Sequence, residues 1–377
     1  MKKTIYKYFF YEFIRYFTVT LFALAAIIWT IQAVNFLDLV TEDGHAFKIY
    51  FFYSFLTTPK ILTKLIPFSF LVASILTILK MEKDNELIIL WTSGLSKIRI
   101  VHLVFYISIL IMFLQIIMTT FITPKTLNHS RTLLKNSKLQ FVPSLLKEKQ
   151  FNDTVKGLTI FVDKKKADSI YENIFIRDDG RVLSQIAEGS STIFAKSGYV
   201  TKNEKNLVLS NGFIQKQEDE KNIKVIKFEK TILNLSGLST KSTSEAKIQE
   251  TSTFSIIECI QSDYEISHNC SQSEKSIKDT KIEINKRFGM PAFVPLIALV
   301  SCFLFISRKE EKYNGLDKYI YFLIGFVLLS ISEITVRYSG NSLIHTITYY
   351  LIPLGLLPLI YFFLLRAFKY ENFRKQR

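Results

Sequence analysis

The chain has 377 residues, of which 49% are hydrophobic and 14% aromatic, yet it carries 48 Lys and Arg and a formal net charge of +15. Apolar and charged residues must therefore be segregated into blocks. The cations flank long apolar runs, which makes nucleic-acid binding a poor explanation of the charge, and none of the 13 Gly is followed by Lys, which excludes a phosphate-binding loop for ATP hydrolysis.

Six runs meet or approach the roughly 18 to 20 residues that cross about 30 Å of hydrocarbon as a helix. They are 13–34, 61–79, 100–122, 290–306, 319–336 and 347–365. The lead-in to the first is basic and aromatic (Lys2, Lys3, Tyr6, Lys7, Tyr8, Phe9, Phe10, Tyr11), as at headgroup level. The first run exceeds twenty residues and no small-x-small site follows, so it is expected to remain as a span rather than be cleaved as a signal peptide. Its one cation, Arg15, is placed to snorkel. A short acidic turn follows at 35–45, and the aromatic segment 47–58 reads as an elbow helix running into Pro59.

The island at 82–96 is too short to cross a bilayer and too apolar to be only a linker. Asp84 or Asn85 can cap a helix, Leu87, Leu90 and Trp91 recur on one side, and Gly94 supplies a stop, which predicts an amphipathic helix of about three turns. Such a helix lies at the membrane surface and can receive force from a partner. Its carboxylate Glu86 is either a charge-assisted contact for an Arg of a docked protein or a solvated side chain.

After the third run ends near Pro124, residues 125–285 change character, with alternating polarity between turn signals. Strands are predicted at 158–162, 171–177, 182–188, 191–195, 207–210, 213–217 and 223–235, with hairpin turns at 178–180 and at Asn211-Gly212. A phase shift at Val225-Ile226 suggests a bulge or bend. About seven short antiparallel strands imply a sandwich, jelly roll or open barrel. Residues 241–281 read as a Ser/Thr/Lys-rich linker apart from a helical turn at 254–260. The last three spans follow, and six of the eight prolines (Pro59, Pro67, Pro291, Pro295, Pro353, Pro358) lie in or at spans, where neighbouring helices must re-satisfy the backbone.

The fold class is thus a polytopic α-helical membrane protein with six transmembrane helices in a 3+3 arrangement and an inserted extracytoplasmic all-β domain. Its parts are residues 1–124, 125–285 and 286–377. Lys80, Lys83, Lys97 and Arg99 beside the island, Arg308, Lys309, Lys312 and Lys318 between the fourth and fifth runs, and the basic ends of the chain put both termini and the island in the cytoplasm. The β-domain then lies outside.

Ionisable residues at membrane depth are costly and tend to be functional. Lys60 and Lys64, one helical turn apart, can hold an anionic ligand such as a lipid phosphate or snorkel to headgroups. Glu333 and Arg337 form either a local ion pair or a polar lining to a substrate path, and Lys286 with Arg287 is a place for an anionic partner. The five His show no metal spacing, no Ser/His/Asp set is suggested, and no catalytic or metal site is expected. Cys259, Cys270 and Cys302 are expected as unpaired thiols, with a Cys259–Cys270 bond as the alternative.

The island resembles the coupling segment of the lipopolysaccharide-export permeases, the LptF/LptG family, in Asp84, Glu86, Leu87, Gly94, Leu95 and Ser96. The resemblance extends over nearly the whole chain. It includes Trp29-x-x-Gln32-x-x-x-Phe36-Leu37-Asp38, closer to the LptF branch, the prolines Pro59 and Pro67, and Glu283-x-x-Lys286-Arg287-x-x-x-Pro291. It implies a β-jelly roll for the insert and a non-catalytic permease subunit of an inner-membrane ABC transporter. The implied partners are a paralogous permease forming a heterodimer, a cytoplasmic ABC ATPase dimer that uses the ATP, a single-span periplasmic component and a periplasmic bridge protein. Lipopolysaccharide is the implied cargo. Glu86 would couple hydrolysis to movement, helped by Asp84, Leu87, Leu90 and Gly94, while the first and fifth spans would line lateral gates. This chain departs from the family in having no cation on the first span except Arg15, at the wrong end to meet lipid phosphates. That task would pass to Lys60, Lys64 or the partner permease. The competing readings are a membrane-anchored periplasmic binding or sensor protein, which would need a cytoplasmic output domain, and a permease for another lipid or lipoprotein.

Overall fold

The computed structural model describes residues 2–41, 46–136, 146, 148–153, 157–166, 170–179, 190–201, 206–219, 222–234, 247–261, 273–306 and 314–374. Among them, six helices are long and apolar enough to cross a membrane: Thr4–Val40, Phe47–Lys83, Lys97–Lys135, Glu274–Phe305, Lys318–Tyr338 and Leu343–Lys369. Each apolar run of the sequence falls on one of them. The chain divides into two compact units, one of Met1–Trp29, Thr57–Leu127 and Ile248–Arg377, the other of Thr30–Leu56 and Asn128–Lys247. The described residues between 248 and 285, read from the sequence as part of the β-insert and its linker, therefore belong with the helices.

The helices are α1 (Lys2–Asn35), α2 (Asp38–Thr41), α3 (Phe47–Leu56), α4 (Thr58–Lys83), α5 (Glu86–Thr92), α6 (Lys97–Ile117) and α7 (Thr123–Asn136), then α8 (Thr253–Gln261), α9 (Glu274–Gly289), α10 (Phe293–Ser301), α11 (Asn314–Tyr338) and α12 (Leu343–Arg374). Every residue of α10 is buried. It carries no charge and packs among α4, α6, α11 and α12, so the fourth span is the axle of the helical unit. The first, fifth and sixth spans instead turn most of their apolar surface outward. The fourth span also starts earlier than its apolar run indicates. Ser273 caps α9 through its hydroxyl, which accepts from the Ser276 amide, so the predicted linker at 241–281 is helical from Glu274 onward.

Three prolines show how the spans are joined. A proline has no N–H, so the carbonyl four residues before it loses its helical donor. Pro67 frees Thr63, whose oxygen accepts from Gln115 Nε2 of α6 at 3.2 Å. Pro124 frees Thr120, which accepts from Thr253 Oγ1 of α8 at 2.6 Å. Pro291 frees Arg287, which accepts from Thr119 Oγ1 at 3.0 Å. Thr119 and Thr120 lie in a π-helical turn, Met118–Ile122, that precedes Pro124. Each orphaned acceptor is satisfied by a polar side chain from a neighbouring element, as a low-dielectric surrounding demands.

The other unit contains a six-stranded antiparallel sheet, β1 (Phe151–Asn152), β2 (Leu158–Lys166), β3 (Ile170–Asp178), β4 (Ser191–Val200), β5 (Asn206–Asp219) and β6 (Asn222–Asn234). The strands lie in chain order, each paired with the next. One face buries Ile160, Val162, Ile174, Ile176, Ile193, Leu209 and their neighbours. On the alternate positions Phe151, Phe161, Phe175, Phe194 and Phe213 stand side by side across five strands. The strand predicted at 182–188 lies outside the described residues. The two strands predicted at 207–210 and 213–217 are one, β5, and Asn211-Gly212 is not a hairpin. Asn211 takes a left-handed φ of 54° within the strand, and a Cβ on Gly212 would meet the Phe194 carbonyl oxygen at 2.1 Å. Glycine is required there by the close approach of β4 rather than by a turn. The bulge suggested at Val225-Ile226 is absent too, because the β5–β6 register runs unbroken from Asn206↔Asn234 to Gln217↔Ile223 and shifts only between Gln217 and Asp219.

Candidate functional site: a carboxylate at one end of the bundle and a basic cleft at the other

The chain leaves α4 through Asp84 and through Asn85, whose φ of 60° is the left-handed conformation that Asn tolerates. It then forms α5, seven residues long and hence about two turns rather than three. Gly94 at φ 82° closes the helix. The Leu95 amide donates to the Leu90 carbonyl and the Gly94 amide to that of Trp91, a Schellman pattern.

The apolar side read from the sequence faces inward. Leu87, Leu90 and Leu95 are buried in the same core as Phe9, Phe13 and Met81. Leu87 and Leu90 therefore anchor the helix and offer no surface to a partner. The exposed apolar pair is Ile88 (50% exposed) and Ile89 (63%), flanked by exposed Asp84 and Thr92. Trp91 packs edge-on against Phe305 and lies beneath the Lys97 ammonium, which donates to the Phe305 carbonyl at 2.8 Å.

Glu86 sits at the first position of α5. Its Oε1 accepts from Tyr8 Oη of α1 at 2.7 Å. Its Oε2 is shielded from solvent and has no hydrogen-bond partner among the described residues. One turn farther along α1, buried Glu12 pairs with Lys80 of α4 at 2.8 Å. The sequence placed Tyr8 in an interfacial lead-in and gave no sign of either tie, since both join residues distant in the chain.

The opposite end of the bundle holds a small cleft of about 50 Å³ bordered by Lys60, Lys64, Glu283, Lys286 and Arg287. The two lysines of α4 and the basic pair of α9 are therefore brought together. Arg287 is 2% exposed and committed to the protein itself: its Nε pairs with Glu283 at 3.0 Å, Nη1 donates to Thr253 Oγ1 at 2.8 Å, and Nη2 reaches the Thr251 carbonyl at 3.1 Å. It is thus a clamp on the segment entering α8 rather than a group open to a ligand. Glu333 of α11 pairs with Lys286 at 3.3 Å and with Arg337 at 3.6 Å, so the local ion pair expected from their spacing exists and also reaches α9. Lys64 is exposed and makes no hydrogen bond or ion pair among the described residues. Glu283, Thr119 and Thr253 complete the site. Of these only Glu283 stands out in the sequence, as the first residue of the motif Glu283-x-x-Lys286-Arg287.

Cys259, on α8, is disulfide-bonded, which corrects the expectation of an unpaired thiol there. Cys302 is free and buried in the fourth span. Cys270 lies outside the described residues.

An uncharacterised protein of Rickettsia prowazekii (strain Madrid E), RP871, is 26% identical over 231 residues, which cover 61% of this chain and 62% of that protein. The lipopolysaccharide export system permease LptF/LptG family matches residues 7–367, from the lead-in of α1 to the end of α12. With six spans, an inserted β-unit and a match over that length, the chain belongs to the LptF/LptG permease family.

Proposed function

We propose that the protein is the LptF-type permease subunit of an ABC exporter that extracts lipopolysaccharide from the inner membrane. The observation that carries this reading is the convergence of Lys60, Lys64 and Lys286 in one cleft at the end of the bundle opposite Glu86. Clustered cations at that end suit the phosphates of a glycolipid, and the family match supports the lipid class. Lys64, exposed beside the cleft, is the group available to a phosphate, while Arg287 shapes the wall and Glu333 with Arg337 lines the approach along α11. The outward faces of the first and fifth spans suit a gate formed with a paralogous permease. The β-unit passes the lipid to a periplasmic bridge, together with a single-span component.

At the other end, in the cytoplasm with both termini, an ATPase dimer docks on α5. Ile88 and Ile89 supply apolar contact area, and Glu86 meets a cation of the ATPase. Hydrolysis takes place in that partner, and this chain performs no catalysis. The test is reconstitution of the co-purified complex in liposomes. Glu86→Ala is expected to leave the complex folded and to lower ATP-driven lipid release, and photo-crosslinkers at Lys64 and Glu333 are expected to trap lipopolysaccharide. Unaltered ATPase activity and release in Glu86→Ala would remove the coupling role, and a clean absence of adducts at both positions would move the path elsewhere.

A further inference from the structure

The structure assigns to Tyr8 a role that rests on the docking reading of Glu86 and goes beyond it: we infer that Tyr8 is the positioning residue through which a push on α5 is delivered to the first span. The Tyr8 hydroxyl holds one oxygen of Glu86 at 2.7 Å. The Glu12–Lys80 pair at 2.8 Å holds the same face of α1 to α4 one turn away. Between and beside these ties, Phe9, Phe13, Leu87 and Leu90 share one buried core. The start of α1 is therefore held to α5 by one polar contact and to α4 by another, with side chains of all three in one apolar core, and packed elements of this kind shift as bodies rather than deform.

Two features give the contact a function beyond packing. The first is its place on the carboxylate. Tyr8 occupies Oε1 and leaves Oε2, sheltered from water, with no donor among the described residues. Tyr8 thereby fixes the orientation of the half-buried Glu86 carboxylate, so a cation that docks against it meets a group already held to α1. The second is where α1 leads. From Tyr8 the helix runs without a break to Asn35, and it is among the spans with most outward apolar surface. Displacement of α5 thus reaches the membrane face of the first span along one continuous helix.

The experiment compares Tyr8→Phe and Glu86→Gln in the reconstituted complex and adds electron–electron distance measurements between spin labels at exposed Tyr11 and Thr92. Tyr8→Phe keeps the ring and removes the tie, while Glu86→Gln keeps an acceptor for Tyr8 and removes the charge. Tyr8→Phe is expected to bind the ATPase like the parent and to release about tenfold less lipid per ATP hydrolysed, the worth of roughly one such hydrogen bond. In the parent the 11–92 distance is expected to change with nucleotide by no more than the roughly 1–2 Å of a packed-helix adjustment, and in Tyr8→Phe by more. Parental release per ATP in Tyr8→Phe, a loss of ATPase binding as large as that of Glu86→Gln, or a large change of the 11–92 distance in the parent each overturns the inference. If Tyr8→Phe does not assemble, the parental distance decides alone. ATPase binding undiminished in Glu86→Gln overturns instead the docking reading on which the inference rests.

Discussion

Thr119 Oγ1 donates to the backbone carbonyl of Arg287 at 3.0 Å, and that carbonyl is the one whose helical donor Pro291 removes. The same pairing of a proline with a polar side chain on the next element recurs at Pro67 with Gln115 and at Pro124 with Thr253. Prolines and their partners therefore form matched sets.

If so, Gln115→Leu leaves the Thr63 carbonyl buried without a donor and is expected to destabilise the protein by about 1–3 kcal/mol. Adding Pro67→Ala restores an N–H to that carbonyl, and the double variant is expected to recover most of the loss. Thermal unfolding in detergent of the two single variants and the double variant reads the coupling directly, and strict additivity would refute the pairing.

Arg287→Met removes a guanidinium that is 2% exposed and leaves Glu283 and the Thr251 carbonyl without it. Breaking a buried pair from one side costs roughly 3–5 kcal/mol. Unfolding temperature is expected to fall, with faster proteolysis of the 247–253 segment in the remaining folded protein.

Lys80→Met isolates the Glu12 carboxylate, which is nearly inaccessible in α1. The expected loss is again about 3 kcal/mol or more. Glu12→Gln/Lys80→Met together are expected to be milder than Lys80→Met alone, because the uncompensated charge has gone. The same unfolding assay distinguishes these outcomes.

Lys64→Ala alters a side chain with no hydrogen bond or ion pair among the described residues, so stability is expected to change by less than about 0.5 kcal/mol. Lipid retention by the complex, measured by native mass spectrometry, is expected to weaken by roughly tenfold, as for the loss of one hydrogen bond to a charged group. Equal retention would remove Lys64 from the path.

Gly212→Ala sets a methyl group 2.1 Å from the Phe194 carbonyl oxygen. Backbone cannot yield as a side-chain tip does, so β4 and β5 are expected to separate locally, with loss of amide exchange protection between Phe194 and Phe213 and little change in the helical unit.

Patterns with a clear period were legible in the sequence. The six apolar runs each fall on a span, and Glu333 and Arg337 at four-residue spacing do pair. Short apolar stretches were not, because spacing marks a side of a helix without saying which way it faces. Leu87 and Leu90, which share one side of the helix in the sequence, lie inward, while Ile88 and Ile89 take the exposed side. Asn211-Gly212 has the composition of a hairpin turn, but the same two residues also fit a strand crossed closely by its neighbour. Contacts between distant segments, such as Tyr8 with Glu86 or Thr253 with Arg287, leave no local trace at all.

The chain-order sheet has a kinetic consequence. Each of β2 to β6 pairs with the strand made just before it, so loop closure spans few residues and the entropic barrier to each addition is small. The sheet can grow one strand at a time as the polypeptide is synthesised, before the last three spans exist. Only the helical unit has to wait, since its axle, Phe293–Ser301, is translated after the sheet is complete. A ribosome-stalled chain ending near residue 250 is therefore expected to hold a folded sheet beside three spans that still lack their centre.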